Sequence, residues 1–254
     1  MKYMKAYNEV ISLGYNCEIS FRIRDYYGKL CSWPFSWSYI LDRDVFLEAL
    51  DNLDEIFQGE VYVCRDPRVN SMIECGKYHI CFHPRGEYVA ADGSIPEETL
   101  EAAISELRNR VAHLVDKFKR ALKDPAKNYV FFIGLTDNGK SDDEEFIIKL
   151  ENKLNQLCPA QNYIVVAVVP QKRYREELSL LNSEHVKIRV IKDFGKQKCN
   201  DISTDARGWG KIFYEFLGRE RIHSYYKNLA KHRLKRVIAA VKKRAARLVI
   251  GNRS

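Results

Sequence analysis

Three strongly apolar runs in the second half of the chain, YVFFIGL from Tyr129, YIVVAVV from Tyr163 and VKIRVI from Val186, constrain the fold more than any other feature. They are too short and too rich in β-branched and aromatic residues for core helices, and the segments between them are polar and of helical length. The spacing predicts helices near 142–157 and 172–181. Apolar strands alternating with helices require a mostly parallel sheet with both faces covered, because only a crossover returns a strand to the same direction. The fold class is therefore α/β.

Upstream, EVISL from Glu9 is a further short strand closed by Gly14, and after Asn16 the residues Ile19, Ile23, Tyr26 and Tyr27 recur at helical spacing. Asn16 suits an N-cap, which places Cys17 at the first helical position. CSWPFSWSYI carries Pro34 and reads as a packed aromatic loop before a helix around Asp44–Phe57. Between Val61 and His83 the runs VYVC, SMIEC and YHICF, separated by turn residues, predict a small antiparallel insertion. A long amphipathic helix starts near Pro96, with Leu100, Ile104, Leu107, Val111, Leu114, Val115, Phe118 and Leu122 on one face, and ends at Asp124-Pro125. Trp209–Leu217 is a further short helix.

The net charge of +8 is unevenly distributed. From Arg219 to Ser254 there are twelve Lys/Arg against one acid, a charge of +11, which leaves the other 218 residues at −3. The expected organisation is an α/β domain over 1–218 and a basic amphipathic helix over 219–254. In that helix Leu234, Val237, Ile238, Val241 and Leu248 form an apolar stripe between basic faces. This pattern suits an anionic membrane surface, where each basic residue contributes about 1 kcal/mol. A helix packed on the domain and a nucleic-acid contact are the alternatives, and no specific nucleic acid is expected. The N-terminus has no apolar run behind its lysines, so a cytoplasmic location, peripheral at the inner face of the membrane, is expected. Seven cysteines without CxxC or zinc spacing point to reduced thiols and no metal site.

Cys17 is the natural candidate nucleophile. A helix N-terminus lowers a thiol pKa from about 8.5 toward roughly 3.5–7.5, and strand ends of α/β sheets are where ligand crevices form. Of the histidines, His79 and His83 in YHICFHP alternate onto the face opposite Tyr78, Ile80 and Phe82, and His83 at the strand end is the better base.

Several of these segments, in order, resemble a bacterial family catalogued as papain-like cysteine peptidases and often found near surface-polysaccharide genes. ISLGYNC is similar to its S-L-G-x-N-C signature and SWPFSW to its P-F-D-W element. CFHPRG falls where the family has H-D-F, YVFFIGLTD resembles its L-F-I-R-T strand, and DARGWGKIF its terminal D-x-x-x-W segment. Together they span residues 9–217. The resemblance implies Cys17 as nucleophile and His83 as its partner. The chain departs from it at Ser36 and Pro84, where the family has aspartates, so either Asp42, Asp92 or Asp205 substitutes as the group that orients the base, Asp205 being preferred, or activity is lost. Papain-type enzymes pair a cysteine-bearing helix with an antiparallel barrel, whereas Tyr129–Asp193 reads β-α-β-α-β. The expected activity is therefore broader than peptidase: an acyl hydrolase or acyltransferase with an acyl, glycan or other small-molecule substrate and no cofactor.

A second motif competes. Gly134–Ser141 matches G-x-x-x-x-G-K-[ST] between a strand and a helix, which makes Gly139, Lys140 and Ser141 candidate phosphate-binding residues. Asp142, Asp143, Glu144 and Glu145 follow at once and would repel a nucleotide. Ser141 as N-cap with Glu144 three residues on forms a capping box instead. A nucleotide-binding protein and a non-catalytic membrane-associated module are the alternatives to a thiol enzyme.

Overall fold

The computed structural model describes residues 7, 9–14, 17–29, 32–66, 71–135, 142–158, 162–194, 205–219 and 221–251. It holds two four-stranded sheets. The first is wholly parallel and consists of β1 (Glu9–Ser12), β6 (Tyr129–Gly134), β7 (Tyr163–Pro170) and β8 (Val186–Ile191), in that spatial order. The second is antiparallel, in the order β2 (Ser38–Ile40), β5 (Ile80–Phe82), β4 (Ile73–Cys75), β3 (Val61–Val63). The α/β class and the small antiparallel insertion are both present. The strand β2, read from sequence as part of a loop, is the difference.

Every step from β1 through β8 moves in the same direction across the parallel sheet, so right-handed crossovers put the helices that lead back into the sheet on one face, the helix at Cys17–Tyr27 in the first connection excepted. That face is covered by α2 (Arg43–Asp51), α3 (Glu97–Leu122) and α4 (Asp143–Leu157). Their residues Phe46, Leu107, Phe118 and Phe146 share a core with Ile11, Phe131 and Val165. The opposite face is left to α1 (Cys17–Tyr27), α5 (Ala206–Leu217) and α6 (Ile222–Gly251). There Ile19, Ile23, Trp209, Phe213 and Tyr225 pack on Val10, Phe132 and Val166. Both faces being dry explains why β6 and β7 are buried at every position.

Three expectations change. No continuous helix forms over 172–181; Gln171–Arg173 and Glu176–Leu181 are two short 3₁₀ segments, and only Leu178 of them is buried. One apolar anchor gives too narrow a stripe to hold an amphipathic helix on the sheet. The N-cap of α4 is Asp142, whose carboxylate accepts from the Glu145 amide at 2.7 Å, one residue later than the expected Ser141. Finally, the segment after residue 218 is not all appendage. Tyr225 and Leu229 of α6 belong to the core, and the Asn228 amide donates to the Asp25 carbonyl of α1 at 2.9 Å. Only beyond these turns does α6 present its stripe, with Leu234, Val237, Ile238 and Val241 each 46–61 % exposed. Among the described residues no helix is long and apolar enough to cross a membrane.

Candidate functional site

Cys17 is the first residue of α1, where the unsatisfied amides of the opening turn concentrate the positive end of the helix dipole. Its side chain is buried. The chain arrives there from β1 through Gly14, whose φ of +93° only glycine adopts without strain, and Gly14 lies directly on Ser38 and Ile40 of β2. The expected N-cap, Asn16, lies outside the described residues.

The strand β2 links the two candidate residues. Ser38 is paired with Phe82 in the β2–β5 ladder, and His83 follows Phe82 as the chain leaves the sheet. Gly14, three residues before Cys17, and Phe82, one before His83, thus both border Ser38. Phe21, one helical turn beyond Cys17, lines a cleft of about 630 Å³ together with His83, while Cys17 itself is not among the residues that line it. Trp33, Trp37, Phe82, Leu107 and Leu114 give that cleft a mainly apolar wall, with Arg110 and His113 of α3 as its other basic groups. Phe21 and Trp37 meet edge to face at 5.1 Å.

Burial, and then the nearby Arg110 guanidinium, lower the His83 pKa from its ordinary value. The Arg110 guanidinium also donates to the His83 carbonyl and so fixes the strand end. His79 differs from expectation. It stands in the β4–β5 turn with φ +50°, and its Nδ1 is 3.0 Å from Glu74 Oε1, so it does not share a strand face with His83.

Each of the three aspartates considered as orienting groups holds backbone amides. Asp205 caps α5: Oδ1 accepts from the Gly208 amide at 2.9 Å and Oδ2 from the Lys192 amide at 2.8 Å. Asp42 caps α2 through the amides of Asp44 and Val45. Asp92 holds an exposed turn through Ser94. Among the described residues lining the cleft there is no carboxylate. Ser36, where the related motif has aspartate, closes the 33–36 turn by accepting from the Trp33 amide at 2.9 Å. Arg110 and His113 escaped the sequence reading because a long amphipathic helix offers many basic residues with nothing to mark which of them face a cleft.

The phosphate-loop candidates Gly139, Lys140 and Ser141 lie outside the described residues. The acids behind them have structural roles. Asp142 caps α4, and Asp143 is buried in ion pairs with Arg43 and with Arg173, the latter at 3.0 Å.

A second concentration of reactive groups sits on the antiparallel sheet, where Cys64, Glu74 and Cys81 are all buried and place one donor atom each within 4.8 Å of the others. No protein-family model, curated protein or solved structure matches this chain.

Proposed function

We propose that the chain is a thiol enzyme, an acyl hydrolase or acyltransferase, in which Cys17 is the nucleophile and His83 its base. The observation that carries this reading is the apolar cleft that holds His83 and runs to Phe21, one turn from Cys17. An apolar cleft with a few convergent polar groups suits an acyl chain or another hydrophobic substrate portion beside a reactive carbonyl.

In the first step the His83 imidazole takes the Cys17 thiol proton and the sulfur adds to the substrate carbonyl carbon. Collapse of the tetrahedral adduct breaks the bond to the leaving group, which takes the proton from the imidazolium and leaves a thioester on Cys17. Water or an acceptor hydroxyl, deprotonated by His83, then adds to the thioester, and the thiol is regenerated. Burial and the Arg110 guanidinium both lower the His83 pKa, so the ring starts neutral and a standing imidazolium is opposed. Resemblance to the cysteine-peptidase family found near surface-polysaccharide genes supports a glycan-linked acyl substrate.

The exposed stripe of α6 extends the proposal to place. Its four apolar residues, within a segment of charge +11, suit the anionic inner face of the cytoplasmic membrane. Deleting residues 230–254 should weaken co-sedimentation with phosphatidylglycerol vesicles, and undiminished binding refutes this part.

The enzyme reading is tested by brief iodoacetamide labelling at neutral pH with peptide mapping, and by hydrolysis of p-nitrophenyl esters of graded chain length. Burial raises the pKa of the Cys75 thiol and carries that of Cys158 to about 12, so Cys17 should label before these two. Labelling of Cys17 no faster than these, or turnover that survives in both Cys17→Ala and His83→Ala, refutes it.

A further inference from the structure

Three side chains on the antiparallel sheet form a group that the cleft does not use. In the ladder Tyr62 is opposite Glu74 and Glu74 is opposite Cys81, while Cys64, just past β3, is tied to the Met72 carbonyl by its amide at 2.8 Å. The register alone therefore puts two thiols and a carboxylate on one face. The sulfurs of Cys64 and Cys81 are 3.1 Å apart. Tyr39, Met72 and partly buried Leu41 close over the thiols.

We propose that Cys64, Glu74 and Cys81 bind a soft divalent cation of the zinc class. Zinc–thiolate bonds are about 2.3 Å and zinc–carboxylate bonds about 2.0–2.2 Å, so donors within 4.8 Å of one another can share one ion with small adjustments. Binding would spread the sulfurs from 3.1 Å to the roughly 3.7 Å separation of a tetrahedral site.

Charge supports the assignment. The Glu74 side chain is 6 % exposed beside two sulfurs, and burying acceptor groups without a compensating cation is costly. The groups facing it are Tyr62, which hydrogen-bonds its carboxylate, His79 at 3.0 Å, and the two thiols. Arg65 lies over the Tyr62 ring, 5.6 Å from its centroid, and the Asp66 carboxylate adds a further negative charge near Cys81. A divalent cation supplies the missing positive charge as the two thiol protons depart to solvent.

The surroundings resemble the outer shell of a metal centre. Burial raises the Cys64 thiol pKa, and the Asp66 amide, by hydrogen-bonding the sulfur, works against that rise. His79 holds Glu74 in place, and its left-handed backbone, unusual for a residue other than glycine, is what turns the ring onto the carboxylate. Three buried protein donors leave one coordination position, and the nearest exposed side chain is the half-exposed His79 on Glu74. The ion would fasten β3, β4 and β5 together two residues before His83.

The test uses the full-length protein, stripped with chelator and titrated with cobalt(II) as a spectroscopic probe and with zinc. One cobalt per chain with sulfur-to-cobalt charge-transfer absorption is expected, lost in Cys64→Ser and in Cys81→Ser and retained in Cys17→Ser and Cys158→Ser. For serine variants that do not fold, wild-type protein gives the second measurement. At free zinc about tenfold above the dissociation constant, alkylation of Cys64 and Cys81 should slow by about tenfold. Glu74→Gln should weaken that protection. No charge-transfer band, a band that survives in Cys81→Ser, unprotected thiols, or a Cys64–Cys81 disulfide formed in place of the band would overturn the proposal.

Discussion

Gly14 and Gly93 share a φ of +93° but differ in surroundings, which separates backbone strain from packing at the approach to Cys17. A Cβ on Gly14 would stand 2.9 Å from Ile40 Cδ1, 3.1 Å from Ser38 Oγ and 3.2 Å from the Phe35 carbonyl oxygen. These neighbours have little freedom: Ile40 is in the core, and the Ser38 hydroxyl is bonded to that same carbonyl at 2.9 Å. At Gly93 the space is open. The left-handed backbone costs an alanine about 1–2 kcal/mol at either site. Overpacking adds about 1–3 kcal/mol at Gly14 alone. Gly14→Ala should therefore cost about 2–5 kcal/mol and Gly93→Ala about 1–2, with a melting temperature falling by about 2–4 °C per kcal/mol in a chain of this size. Because the loop yields before the core does, Gly14→Ala should also change the alkylation rate of Cys17 in the folded protein, and Gly93→Ala should not. Calorimetric melts and timed labelling read both effects. Equal destabilisation by the two substitutions would refute the packing argument, and a neutral Gly14→Ala would refute the backbone argument as well.

Asp205→Ala removes a cap that serves two amides and should cost about 1–2 kcal/mol while leaving any turnover at Cys17 intact; loss of turnover at undiminished stability would return Asp205 to the catalytic group. Asp143→Ala leaves the guanidiniums of Arg43 and Arg173 without their shared carboxylate and should cost about 3–5 kcal/mol, read by urea unfolding, with a change under 1 kcal/mol refuting the buried-pair account. His83 should titrate by NMR below the usual histidine range, and Arg110→Met should move it upward; a wild-type midpoint at or above that of free imidazole contradicts the site geometry. Since its folded pKa is depressed, the unfolded chain takes the proton first as pH falls, so His83 subtracts stability below the ordinary histidine pKa and none above it.

What the sequence discloses follows the range of the interactions involved. The strand VKIRVI and the helix after Pro96 could be read to the residue or nearly so, because burial imposes a period that neighbouring residues carry themselves. β2 has three residues, and its pairing with β5 across some forty positions leaves no local trace. The 172–181 segment fails for a related reason: QKRYREELSLL has helix-forming residues, but only Leu178 is buried in the core and Leu181 packs on it in part. Cys17 and His83 stand out because each sits at a chemical punctuation mark, a strand-to-helix turn and a residue before proline. Cys64, Glu74 and Cys81 are spaced ten and seven residues apart, one just past β3 and the others on β4 and β5, so no linear motif exists to find them, and only the ladder register assembles them.

The double character of α6 has a mechanical consequence. One uninterrupted helix both packs Tyr225 and Leu229 under α1 and carries Val241 outward, about 18 Å further along at 1.5 Å per residue. Between these points there is no proline or glycine to act as a joint. A surface that grips the outer stripe therefore holds the body as a rigid outrigger holds a hull: torque reaches α1 through Asn228 and Asp25, and the end of that helix is Cys17.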